Sequence, residues 1–137
     1  MSGLDQLMRL QRWTLDEKRR QASDLELLIE RLIQDISHLD AAVEREIEAS
    51  RANLELQRVL PGYRQVMKDR RARLDKSLLD LRGELDKLRE QITAAFSELK
   101  KTEQTVKNRE QRQRLAERRK DQAVSDEIGL QLHRRKG

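Results

Sequence analysis

From Ala22 to Val43 the residues Ala22, Leu25, Ile29, Leu32, Ile36, Leu39 and Val43 follow one another at steps of three and four without a miss. That spacing lays one apolar stripe along an α-helix; a strand, whose faces alternate at every second residue, cannot use it. The same frame runs backward through Leu15, Met8 and Leu4, with the polar Lys18 and Gln11 set into it. A narrow stripe of this kind is a coiled-coil seam, and it cannot be left in water, so the chain needs a second stripe to cover it.

A second stripe follows. Met67, Leu74, Leu78, Leu81, Leu85, Leu88, Ile92, Ala95, Leu99, Thr102 and Val106 repeat the heptad, with Arg71 as its one charged member. Between the two, Glu46 and Ser50 fall on the first frame while Ile47 and Leu54 carry the apolar character four residues out of phase with Val43, the mark of a stutter. Then comes "LPG", with the only proline among 137 residues. Proline lacks an N–H and pushes the preceding residue out of the helical region, so the Pro-Gly pair reads as the end of one helix and the start of the next.

The pattern predicts an all-α fold of one domain, a long antiparallel two-helix coiled-coil hairpin. Helix 1 is expected over about residues 3–59, the turn at about 60–63, and helix 2 over about 64–127. Gly129 is the expected cap of helix 2, followed by a frayed tail over about 129–137. The same residues also admit a continuous helix kinked at Pro61 and paired in a parallel dimer.

Composition agrees with helices and narrows the class. Charged residues make up 40% of the chain and aromatic ones only 2%, too few of the latter for a sheet or a wide core. High charge is also a signature of disorder, but disordered segments do not keep a heptad. No run approaches the roughly 20 apolar residues of a membrane span, and no leader pattern is visible, so a soluble cytoplasmic protein is expected. The absence of cysteine excludes disulfides, thiolate metal sites and a cysteine nucleophile.

Charge is unevenly placed. Residues 24–55 hold nine acidic and three basic side chains, whereas residues 99–137 hold twelve basic and six acidic, and residues 1–23 five basic and three acidic. In a hairpin both basic segments fall at the open end, which favours an acidic partner surface over a merely solvated charged face. Nucleic acid is a poor fit, because Glu103, Glu110 and Glu117 interleave the basic run and no aromatic side chain lies beside it for stacking. A membrane-surface helix is no better, since residues 107–123 offer only Leu115 as a large apolar side chain.

Catalytic chemistry leaves little trace. His38 and His133 are far apart in sequence, and every glycine stands alone, so neither a metal helix nor a phosphate loop can be written. No enzyme activity, metal or cofactor is expected. Off the seam, Trp13 falls at heptad position f and faces outward as an aromatic partner contact, unless a discontinuity near Gln11 and Lys18 rotates it inward. Phe96, Leu28 and Ile33 are expected to broaden the seam, and Leu10 and Val66 to face out.

The segments "LDQLMRLQRWTLDEKRRQASDLELLIERL" and "KKTEQTVKNREQRQRLAERRKDQ", with a tyrosine at a midpoint turn, resemble FliJ, the small coiled-coil component of the flagellar type III export apparatus. "RLQRWTLDEKRR" and the "ERRKDQ…DE" close are most similar to alphaproteobacterial versions. The resemblance implies an antiparallel two-helix coiled coil like the stalk of a rotary ATPase, whose open end enters the hexameric export ATPase and promotes its assembly and ATP hydrolysis. It also implies contacts with the cytoplasmic domain of the export gate and with export chaperones, and a peripheral position at the inner face of the cytoplasmic membrane. Carried over by position, Arg9, Arg12, Arg109, Arg112, Arg114, Arg118 and Arg119 would meet the ATPase, and Tyr63, Val66, Arg70 and Arg73 the gate. The residues taken alone leave a generic adaptor or scaffold coiled coil as the alternative.

Overall fold

The computed structural model describes residues 3–136, and among these it contains two helices, α1 (Gly3–Ser50) and α2 (Leu54–Lys136), and no strand. They form the expected all-α helical hairpin. Their antiparallel sense is plain from the cross-helix pairs: Lys18 Nζ donates to Gln91 Oε1 at 3.0 Å, Arg89 Nη2 meets Glu26 Oε1 at 3.4 Å, and Arg71 pairs with Asp40. The chain does not take the form of one kinked helix awaiting a parallel partner.

Both seams face inward as their spacing requires. On α1, Leu15, Ala22, Ile36 and Leu39 are buried and Leu25, Ile29, Leu32 and Val43 half-buried; on α2, Leu85, Leu88, Leu99 and Thr102 are buried and the remaining heptad positions, Arg71 included, half-buried.

The turn is not at residues 60–63. It lies at residues 51–53, so α1 stops at Ser50 and not near 59, and α2 starts at Leu54, not near 64. Asn53 explains the start of α2: its side-chain Oδ1 accepts the N–H groups of Glu55 at 3.0 Å and Leu56 at 3.2 Å, while its carbonyl accepts Gln57 N–H at 3.1 Å as the first bond of the helix. This is an N-cap, which satisfies donors a helix start otherwise leaves open. On the other side, Ser50 is buried and its hydroxyl donates to the Ile47 carbonyl at 2.7 Å, and Arg51 N–H reaches the Glu48 carbonyl at 3.3 Å, so the last carbonyls of α1 also find donors.

Pro61 and Gly62 lie inside α2. Proline there forfeits one backbone bond, to the carbonyl four residues earlier, at a cost of roughly 3 kcal/mol relative to alanine. The surrounding helix is held because Leu56, Leu60 and Tyr63, all half-buried, step by four and three into Met67 and keep the seam in phase through the proline. Neither Gly62 nor Gly129 has the positive φ that a glycine cap adopts. Consequently the predicted tail is helical as far as Lys136; Gly137 lies outside the described residues.

Contacts divide the hairpin into two compact units. In the unit of residues 15–94, Ala22, Leu85 and Leu88 pack together with Leu25, Ile29 and Ile92 against them. The second unit joins residues 3–14 to residues 95–136. There Leu99 and Thr102 are buried, the Thr102 hydroxyl donating to the Glu98 carbonyl at 3.1 Å, and Arg12 faces Glu103 at 3.7 Å. Val106 is the last half-buried residue of α2; residues 107–136 are exposed throughout.

Candidate functional site

In the second unit, α2 continues past the end of α1 as a single helix over residues 107–136, which we call the arm. A coiled-coil helix that loses its partner must also lose its apolar seam, and the heptad positions here do: after Val106 they are Arg109, Gln113, Ala116, Lys120, Ala123 and Glu127. The arm carries ten basic and five acidic side chains, a net of +5 that equals the net charge of the whole chain. Local pairs support the helix, among them Gln104 with Asn108 and Gln122 with Asp126, each at 3.0 Å and four residues apart.

All seven arginines assigned to ATPase contact lie in this unit, and all are exposed. At about 100° per residue, Arg109, Arg112 and Arg119 occupy one side of the arm and Arg114 and Arg118 the opposite side. The arm is therefore cationic around its circumference. Among the described residues none of these five has an ion-pair partner, whereas Arg12 is tied to Glu103.

Glu103 is a carboxylate engaged by two cations. Lys100 Nζ lies 3.2 Å from it and Arg12 Nη2 3.7 Å. The hydrogen bond from Lys100 holds its carboxyl below the usual carboxylate range, against some desolvation, with help from the charges of Lys100 and Arg12. A carboxyl depressed on folding stabilises the folded chain at neutral pH, and that contribution disappears as the pH falls through the carboxylate range. Acidification should thus lower the thermal midpoint of the native chain more than that of Glu103→Gln, and parallel thermal melts at neutral and acidic pH would measure the difference. The Lys100 ammonium also sits 5.2 Å from the centroid of the Phe96 ring, a cation–π contact.

Trp13 is 62% exposed, and Leu10 and Val66 also face out. Phe96, Leu28 and Ile33 do not broaden the seam but remain exposed, because two inward positions per heptad already close a two-helix interface. Of the residues assigned to the export gate, Tyr63 and Arg70 line one groove together with His38, while Val66 and Arg73 are exposed outside it.

A different groove near the turn, of about 860 Å³, escaped the sequence. Its walls include Glu44 on α1 and Arg64 and Lys68 on α2, and the signal that points to it is a change of step in both seams. Along α1 the inward residues run Leu39, Val43, Ile47, and along α2 Tyr63, Met67, Arg71, two successive steps of four in place of the alternating three and four.

Among the described residues no three of His, Cys, Asp and Glu gather as a metal site, and no helix is long and apolar enough to cross a membrane. The chain matches no family model, no curated protein and no solved structure.

Proposed function

We propose that this chain is a stalk-type component of the flagellar type III export apparatus, which binds the hexameric export ATPase through its basic unit, promotes ring assembly and ATP hydrolysis, and links the ATPase to the export gate and to substrate chaperones. The observation that carries the reading is the arm, a single helix with a net charge of +5 and arginines on opposite sides. A flat acidic partner would engage one side and leave the other in water. A partner that surrounds the helix, such as the lumen of a ring, meets both. Electrostatic attraction from such a surface speeds and orients the encounter. Arg9 and Arg12 extend the basic region onto α1, exposed Trp13 offers an aromatic anchor beside them, and Tyr63, Val66, Arg70 and Arg73 remain the assigned gate contacts. In this reading the chain is cytoplasmic, has no catalytic role of its own, and reaches the membrane only through its partners.

The test is the ATP hydrolysis rate of the cognate export ATPase with and without this protein at equal molar amounts. Stimulation that vanishes when the chain is truncated after Val106 supports the reading and assigns the working end to the arm. No stimulation and no co-migration with the ATPase would overturn it and leave an adaptor coiled coil. The truncation is informative because residues 107–136 are exposed throughout and contribute nothing to the buried seam.

A further inference from the structure

The groove near the turn lies within the unit of residues 15–94 and has an apolar floor formed by Leu39, Val43, Leu60 and Met67. From beyond Leu39 as far as Leu85, no apolar side chain is buried; the only buried residue in that interval is Ser50. Leu54, 76% exposed, adds apolar surface on the groove side of α2, whereas the exposed Val59 and Val66 fall on its far side at about 100° per residue. Two helices alone do not close their seam here, because the paired four-residue steps unwind the supercoil locally and let the seam drift.

The two walls of the groove differ in sign. Residues 40–50 of α1 hold four acidic and one basic side chain, and residues 57–71 of α2 hold five basic and one acidic. Asp40 and Arg71 pair with each other across the groove, but among the described residues Glu44, Arg64 and Lys68 have no ion-pair partner.

We propose that this groove is a self-association surface, occupied by the turn-end segment of a second copy of this chain to give a local four-helix bundle. The argument is symmetry. A two-fold interface brings each patch against the same patch of its mate, so any contact between residues i and j is made twice. A patch with an acidic wall, an apolar floor and a basic wall is complementary to itself under that operation: Glu44 of each copy faces Arg64 and Lys68 of the other. An unrelated helix would need the same two signs of charge in mirrored order, and this chain already carries them. The apolar floor of the groove, with the exposed Leu54 beside it, supplies the surface that a third and fourth helix would cover. The proposal concerns a different surface and a different partner from the ATPase reading, and either stands without the other.

Sedimentation equilibrium of the full chain, from micromolar to submillimolar concentration at low salt, tests it. The expected result is a monomer–dimer equilibrium weakened by added salt. Arg64→Glu with Lys68→Glu should raise the dimer Kd by about tenfold or more, since like charges then face each other twice. Adding Glu44→Lys, which reverses both walls together, should restore dimerisation. Among the described residues these side chains make no ion pair, so helical circular dichroism should be unchanged in each variant. A chain that stays monomeric throughout overturns the proposal. So does a dimer whose Kd ignores the double reversal, or one that the triple variant fails to recover.

Discussion

Pro61→Ala should stabilise the hairpin by about 3 kcal/mol, the largest gain expected from any single substitution in this chain. The variant restores the N–H that a residue in the eighth position of α2 should donate to the Gln57 carbonyl, and it removes the clash of the proline ring with the preceding turn. Gly62→Ala should add roughly 1 kcal/mol, because a Cβ at Gly62 meets nothing within 4 Å and its φ is not positive. Asn53→Ala should act in the opposite direction by about 1 kcal/mol through loss of the cap. Urea unfolding followed by far-ultraviolet circular dichroism measures all three. Were the chain to turn at residues 60–63, the first two substitutions would destabilise and the third would be close to neutral.

If the chain is the stalk component proposed above, reversal of Arg112, Arg114, Arg118 and Arg119 to glutamate should abolish stimulation of the export ATPase and weaken binding to it by at least about tenfold. Each reversal changes the charge by two, so the four together take the arm from +5 to −3. The partner surface that drew the native arm in would then repel it. Glutamate at position 114 stands four residues from Glu110 and from the glutamate at position 118, two like-charge pairs that each cost a few tenths of a kcal/mol of helix stability, so a parallel variant with four glutamines separates loss of charge from loss of helix. If both variants keep their ellipticity and both stimulate as the native chain does, the arm is not the ATPase contact. Stimulation by the glutamine variant alone would assign the interaction to helix shape and not to charge.

Both seams were readable residue by residue, because burial in a coiled coil depends on spacing alone and spacing is a property of the chain. The position of the turn was not readable from the same rule, since two signals disagree. Pro61 and Gly62 are strong local breakers, whereas the phase of Leu56, Leu60, Tyr63 and Met67 runs through them unbroken, and the shift of phase lies earlier, around Ile47 to Leu54. Phase prevailed, with Asn53 capping the new helix in a stretch that contains neither proline nor glycine. Everything that depends on where the chain reverses was misplaced accordingly. A turn some ten residues earlier shortens α1, lengthens α2, and turns a short projecting end into the arm of residues 107–136. The arginines of that arm were legible as charge; their isolation was not. The groove with Glu44, Arg64 and Lys68 lay further out of reach, because it exists only where four-residue steps on the two helices stand side by side.

The arm also sets how the protein is worn away. Its backbone bonds are shielded by no second helix, and its lysines and arginines place tryptic cleavage sites closely over residues 107–120 and again at residues 134–136 of an exposed segment. Helices without tertiary support open locally at low free-energy cost, and a protease acts on the opened form. Digestion therefore removes the arm first and stalls near Val106, where the paired seam begins. Whatever encloses the arm protects it, so survival of the intact chain reports on whether the arm is occupied.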